Sequence, residues 1–575
     1  MDELSPSLLA HIATQMLNEL PGANMVPKSE IDASHLPSAA MQTPASFQDY
    51  RPSEIAVPKS VGNSSSPPSG MPSLPTGFAP PSFGSMPSFS AMPTFSAAPS
   101  LPEFATATPA AGASQGSAGS STNYDGLGAF VRKIQSSHAH PKSGLCSEDP
   151  NTDVLRRLFS AGGPAIGGSS RPLDVPSIRK DFPILNQRVH GKPLAWFDNA
   201  ATTQKPQSVI DAISRFYAND NSNIHRGAHT LAARATDAYE QARQKVQGFL
   251  GASSAKEIIF VRGTTEGINL VAKTYGAKFL QPGDEIVLSN LEHHANIVPW
   301  QMIAKEKGAV IRVIPVTDRG EIMLEEYQKL LGPRTKLVAL TQASNSLGTI
   351  LPVAEMTQMA KRYNARVLID GAQSVAHIPV NLQQLGADFY VFSGHKIFGP
   401  TGIGVVFVKE ELQEIMPPWQ GGGNMIKNVT FEETTFSDPP AKFEAGTPNI
   451  ADAVGLGAAL DYVSKLGLPN IANYEHQLLE YATEHLSRIN GLRLIGTARE
   501  KVSVISFVLP NKRTEEVGKL LDMEGIAVRA GHHCSQPSLR RMGVETTVRP
   551  SFSFYNTKEE IDRLVDAVRR IQQQA

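Results

Sequence analysis

Between residues 257 and 408, seven short and almost wholly apolar runs are separated by amphipathic stretches. They are EIIFV (257–261), DEIVLS (284–289), AVIRVIPV (309–316), TKLVALT (335–341), ARVLID (365–370), DFYVFS (388–393) and GIGVVFV (402–408). Runs without polar alternation suit strands covered on both faces, and the helices between them supply the cover. The pattern predicts an α/β protein with a mostly parallel sheet. A later block mixes VSVISFVL (502–509), a helix near 514–523, IAVRA (526–530), RPSFSFY (549–555) and a last helix. Thr557 and Glu560 stand at that helix's start as a capping box. The expected organisation is a large sheet domain over 171–430, with 431–575 completing it and adding a smaller C-terminal α/β domain.

Before residue 171 the chain changes character. Between residues 60 and 124 the single charged residue is Glu103, in a stretch of Pro, Ser, Gly, Ala, Met and Phe where MPSL, MPSF and MPTF recur. Proline at this density breaks helices and interior strands, and small polar residues bury too little apolar area to offset ordering entropy. The expectation for 1–170 is a disordered extension in which Phe78, Phe83, Phe89, Phe95 and Phe104 recur as stickers. Amphipathic segments at 5–20, 124–134 and 153–159 are each too short to be stable alone. They read either as transient helices or as docking motifs that fold in a partner's groove.

The whole chain of 575 residues carries a net charge of -1, which gives no electrostatic reason to expect nucleic acid or an anionic membrane as partner. No run approaches the roughly 18–20 apolar residues of a membrane span. The acidic start and the first arginine at Arg51 speak against a secretory signal or an Arg-rich transit peptide. Two cysteines, Cys146 and Cys534, cannot make a disulfide framework or a four-thiolate metal site. The expectation is a cytoplasmic protein without a metal centre.

Chemistry concentrates where strands end. Lys396 follows DFYVFS in a glycine-rich turn, at the mouth of a buried sheet. One use of a desolvated lysine there is Schiff-base formation with an aldehyde; a surface loop lysine is the plain alternative. Asp370 ends another strand, where a carboxylate can hold the protonated ring nitrogen of pyridoxal phosphate or simply cap a helix. Gln373 is placed to hydrogen-bond the ring oxygen. Gly263, Thr264 and Thr265 lead into a helix, an anion site suited to a phosphate, to which Ser393 and His395 can add contacts. His293, in LSNLEHHANIVPW (288–300), can stack on the ring and shuttle protons, or be a packed histidine. Asn345 offers an uncharged donor to a cofactor oxygen or a substrate carboxylate. Arg549 and Arg529 offer forks for a carboxylate, or surface salt bridges. NIHRGAH (223–229) adds His225 and Arg226 in a loop. Cys534, in VRAGHHCSQP (528–537), reads as an accessible thiol whose neighbouring histidines favour thiolate, against the alternative of a small buried apolar residue.

These residues occur within DNAATTQKP, HRGAHTLA, RGTTEGINLVA, EHHANIVPWQ, DGAQ, SGHK, GGGNMI, FEAGTPN and GHHC, in that order over about 172–575. Together they resemble a cysteine desulfurase of the class V, fold-type I pyridoxal-phosphate family, and more closely the group II desulfurases of the SUF iron–sulfur assembly system. The short RAGHHC loop, and GGGNMI followed by VTFEETTF, are similar to the short cysteine segment and the hairpin of group II. The resemblance implies Lys396 as Schiff-base lysine and Cys534 as persulfide-forming nucleophile. It implies Asp370, Gln373 and His293 around the ring, and Thr264, Thr265, Ser393 and His395 on the phosphate. It implies Asn345 and Arg549 on the substrate carboxylate; Arg529 and His225 stand beside them as further candidate substrate contacts read from the residues alone. Thr447 would reach the phosphate of a second subunit's cofactor, which implies a homodimer. The implied reaction converts L-cysteine to L-alanine and passes sulfur to an acceptor protein. The extension 1–170 resembles the cargo-loading segments of enzymes packaged in encapsulin shells. The competing readings are a selenocysteine lyase or another class V lyase on the same scaffold, and a non-catalytic, shell-associated interaction protein.

Overall fold

In the computed structural model the described residues are 172–225 and 227–574. The segments at 5–20, 124–134 and 153–159, the phenylalanine repeat, Cys146 and Arg226 lie outside them. All seven apolar runs form strands of one sheet: β1 Ile258–Val261, β2 Glu285–Ser289, β3 Val310–Ile314, β4 Thr335–Thr341, β5 Arg366–Asp370, β6 Phe389–Ser393 and β7 Gly404–Val408. Their order is β1-β7-β6-β5-β4-β2-β3. Pairings from β6 through β5, β4 and β2 to β3 are parallel, and β7 runs antiparallel to both β6 and β1. The reversal has a simple cause. Residues 394–403 join β6 to β7 without a crossover helix, and a parallel return needs one.

The two faces of the sheet feed two cores. Ile258, Phe260, Val338, Leu340, Val367, Ile369, Tyr390 and Phe392 belong to one, and Ile259, Val261, Leu337, Ala339, Leu368, Phe389 and Val391 to the other. This is the two-residue alternation of a strand, with both faces apolar, which is why the runs look continuous in the sequence. On the first face α1 (Gln207–Asn219) and α2 (Thr230–Leu250) pack against α4 (Ile450–Leu466), and on the second face α3 (Thr264–Val271) covers β6 and β7. A buried ion pair ties α2 to the sheet. Arg243 donates to Glu444 at 2.7 and 3.0 Å, and Glu444 also accepts from the Phe260 N–H at 2.8 Å.

The C-terminal block forms a four-stranded antiparallel sheet of β8 Arg493–Ile495, β9 Ser506–Val508, β10 Arg529–Gly531 and β11 Thr547–Arg549, in the order β8-β9-β11-β10. Helices α5 (Leu468–Ser487), α6 (Thr514–Met523) and α7 (Lys558–Gln573) pack together beside it. The Thr557/Glu560 capping box is formed as expected. Strand lengths here depart from the sequence reading. RPSFSFY is strand only through Arg549, because Pro550 has no N–H to continue the ladder. VSVISFVL contributes only Ser506–Val508. IAVRA divides at Val528: Ile526–Ala527 pairs in parallel with Ala195–Trp196, while Arg529–Gly531 pairs with β11. The expected hairpin is present as Ile426–Val429 against Thr434–Phe436. Among the described residues no helix is long and apolar enough to cross a membrane.

Candidate active site

The C-terminal ends of β4, β5 and β6, the turns after them and the loop between β10 and β11 enclose a cavity of about 300 Å³. Ligand sites of open α/β sheets lie at this edge. Of the candidates above, Lys396, Asp370, Gln373, His293, Thr264, Thr265, Ser393, His395, Asn345, Arg529, Arg549 and Cys534 all line it. Thr447 and His225 do not. They line a second cavity of about 730 Å³ together with His229, Asn424 and Gly446.

Lys396 closes the single 3-10 turn after β6. That turn is pinned from beneath by the DNAATTQKP segment. The His395 carbonyl accepts from the Thr203 N–H at 3.0 Å, the Thr202 hydroxyl at 3.0 Å and the Lys205 ammonium at 3.2 Å. The Phe398 N–H donates to the Thr203 hydroxyl at 2.7 Å. Burial pulls Lys396 down to about 8 against the opposing pull of Asp370, so a useful fraction of the amine is neutral near pH 7. Asp370 is 3 % exposed and accepts from the Ala372 N–H at 2.9 Å. Burial raises its carboxyl, and the Ala372 N–H and Lys396 oppose the shift. The next residue must be glycine, since a Cβ at Gly371 would fall 2.0 Å from the Tyr390 hydroxyl.

His293 accepts from the Ala295 N–H through Nδ1 at 3.0 Å, which leaves its proton on Nε2. Burial, then Lys396, hold it down to about 3, so the ring is neutral at working pH. Beside it Glu292 is fully buried, accepting from Asn296 Nδ2 at 2.7 Å and the Thr341 N–H at 2.8 Å, and burial pushes it up to about 8.

The start of α3 meets the start of β7 closely: a Cβ at Gly404 would lie 2.5 Å from the Gly263 Cα. Ser393 Oγ accepts from the Thr264 N–H at 2.9 Å. The first turn of α3 and the hydroxyls of Thr264, Thr265 and Ser393 make an anion cradle.

Arg529 and Arg549 stand opposite each other on β10 and β11. Both reach Asp198, Arg529 at 2.8 Å and Arg549 at 3.3 Å. Arg549 also donates to the Asn345 carbonyl at 2.7 Å and is 2 % exposed; burial lowers it to about 10, still a cation. Its buried Nε has no hydrogen-bond partner, nor has Gln373 Oε1. Both residues line the cavity, and an unpaired buried polar group of this kind calls for an explanation that a bound polar ligand can give.

Cys534 is exposed, and both it and His533 adopt left-handed backbone, φ 54° and 53°. Such a conformation costs about 1–2 kcal/mol per residue. Of the two histidines expected to favour a thiolate, burial holds His533 down to about 2, so it supplies no positive charge. The cations lining the cavity are Lys396, Arg529 and Arg549.

The cavity fits pyridoxal phosphate: an amine, a carboxylate, an imidazole, an unpartnered amide and an anion cradle surround one space. Sequence reasoning passed over Asp198, Lys205, Glu292 and Ser535. Asp198 and Lys205 lie in or beside a motif already singled out, DNAATTQKP, and that was the available signal. Among the described residues no group of three or more His, Cys, Asp or Glu side chains is arranged to hold a metal ion.

The family model described as aminotransferase class-V matches residues 195–564. A cysteine desulfurase of Synechococcus elongatus is 53% identical over 526 residues, covering 91% of this chain and 80% of that one. That match necessarily reaches well before residue 172. A probable cysteine desulfurase of Mycolicibacterium paratuberculosis is 65% identical over 398 residues, 69% of this chain. The chain spans only 58% of that relative's length. Among solved structures, the cysteine desulfurase CsdA (S-sulfonic acid) from Escherichia coli is 40% identical with a TM-score of 0.66, covering 70% of this chain and 100% of its own. By these matches the chain belongs to the class V aminotransferase family and, within it, to the cysteine desulfurases.

Proposed function

We propose that the chain is a pyridoxal-phosphate-dependent cysteine desulfurase that converts L-cysteine to L-alanine and leaves the sulfur as a persulfide on Cys534. The observation that carries this is the presence of Lys396, Asp370, Arg549 and Cys534 on one cavity. Lys396 would hold the aldehyde, Asp370 the ring nitrogen, Gln373 the ring oxygen, His293 the ring face, and Thr264, Thr265, Ser393 and His395 the phosphate. The cofactor supplies an electron sink for the substrate's Cα. Arg549 grips the substrate carboxylate, and the Lys396 amine, once free, takes the Cα proton on Nζ. The Cys534 thiolate then attacks the substrate sulfur. An S–S bond forms, the Cβ–S bond breaks with its electron pair going to carbon, that carbon takes up one proton to become the methyl of alanine, and the Cα regains one. The persulfide passes to the thiol of an acceptor protein.

The test is a product assay. Holoprotein given L-cysteine should release alanine and gain one sulfur atom on Cys534, seen by peptide mass spectrometry. Faster alanine release from selenocysteine, without sulfur on Cys534, would favour a selenocysteine lyase. A pH signature follows from Lys396. Only the neutral amine attacks an aldehyde, so uptake of pyridoxal phosphate by cofactor-free protein should rise about tenfold per pH unit below about 8 and level off above it. A rate independent of pH between about 6 and about 9, followed by absorbance, would contradict this assignment.

The finer reading is a group II enzyme that mobilises sulfur for iron–sulfur assembly in the cytoplasm. The short Cys534 loop and the hairpin at 426–436 support it. A homodimer is supported by Thr447 and His225, motif residues that face a different cavity from the other candidates. They would complete the site of a second copy. Residues 1–170 would carry the enzyme into an encapsulin-type shell; the sparse charge and the MPSF-like repeats support a tether. Deleting 1–170 should leave alanine formation intact and abolish co-purification with the shell. Retained packaging would overturn that part.

A further inference from the structure

The left-handed pair His533–Cys534 persists only because its neighbours over-determine it. The Cys534 carbonyl accepts from the His294 N–H at 2.8 Å. The His533 carbonyl accepts from Asn345 Nδ2 at 2.7 Å, and the Ser535 hydroxyl donates to Asn345 Oδ1 at 2.7 Å. Both ends of one buried amide are therefore committed to the two residues that flank Cys534. Ser535 is the N-cap residue of the helix Gln536–Arg541, where a serine oxygen ordinarily accepts from a first-turn N–H. It makes no such cap bond here. Its side chain is fully buried, and it does not line the cavity. A hydroxyl diverted from capping and spent on Asn345 calls for another role.

We propose that Asn345 and Ser535 form a latch that positions the Cys534 sulfur for attack on the substrate. This rests on the desulfurase reading and differs from the assignment of Asn345 to the substrate carboxylate alone. Asn345 and Ser535 are positioning residues acting through Cys534. The latch also meets the carboxylate site, because the Asn345 main-chain carbonyl receives the Arg549 guanidinium at 2.7 Å.

Ser535 is the place to test it, since its side chain is outside the cavity. In full-length holoprotein, Ser535→Ala should slow sulfur transfer to Cys534 about three- to tenfold, the worth of one hydrogen bond. Exchange of the substrate Cα proton with solvent, and KM for L-cysteine, should stay at the wild-type value. Alkylation of Cys534 by iodoacetamide should quicken in Ser535→Ala, with or without cofactor. Ser535→Thr keeps the hydroxyl and should restore both rates. Unchanged sulfur transfer and alkylation in Ser535→Ala would overturn the latch. So would a parallel loss of Cα exchange, which would mark general damage. Should the wild-type protein form no alanine, the desulfurase reading fails instead, and the alkylation rates still report on the latch.

Discussion

A Lys396→Ala protein should purify without the visible absorbance of a lysine-held aldehyde and turn over L-cysteine at least about 10³-fold more slowly. Two roles fall on the same nitrogen, attachment of the cofactor and removal of the Cα proton, and no other lysine lines the cavity. The nearest basic groups are unsuited. Arg549 remains a cation, and His293 is held neutral with its Nδ1 already accepting from a main-chain N–H. The fold should tolerate the change, because burial already disfavours the ammonium that is being removed. Absorbance spectra, alanine assay and thermal unfolding check the three parts separately. A normal spectrum with normal turnover would defeat the assignment of Lys396.

Cys534→Ser separates the second half of the chemistry from the first. The variant should keep the wild-type spectrum and still exchange the substrate Cα proton. Persulfide formation should vanish, and alanine release should fall about 10³-fold, since a hydroxyl is a far weaker nucleophile toward sulfur than a thiolate. Cys534 touches neither the anion cradle nor the Lys396 turn through any hydrogen bond of its own backbone; those run to His294 and His532. Cofactor binding should therefore be indifferent to the substitution. Normal alanine release from Cys534→Ser would move the nucleophile elsewhere.

The sheet was legible in the sequence because its strands are apolar on both faces, and such runs stand out wherever they occur. β3 is the partial exception: an edge strand with Val310 and Val313 exposed, it was still found from its β-branched composition. The small domain was less legible. Its strands are two or three residues long, and most of a hydrophobic run such as RPSFSFY, from Phe552 to Tyr555, fills the cores outside the sheet. Twelve of the candidate residues lie on one cavity because each sits at or just beyond the end of a strand, at a helix start, or in a loop with a recognisable motif. Asp198 and Ser535 were missed for a common reason. Their partners are more than 180 positions away along the chain, and nothing in the local pattern announces such a bond. The same blindness explains the histidines beside Cys534: their adjacency was visible, and the burial that neutralises His533 was not.

The pairing of Ala195–Trp196 with Ile526–Ala527 has a consequence for biosynthesis. The segment that enters the small domain is translated hundreds of codons before its partner strand, and Phe197, fully buried at the end, packs with Phe552 only when the last part of the message has been read. A stalled ribosome therefore holds a nascent chain with its lysine-bearing sheet complete and its thiol-bearing lobe unmade, exposing an apolar surface that chaperones and proteases recognise. Premature termination between residues 467 and 526 should yield fragments that are degraded and do not accumulate as half-active enzyme.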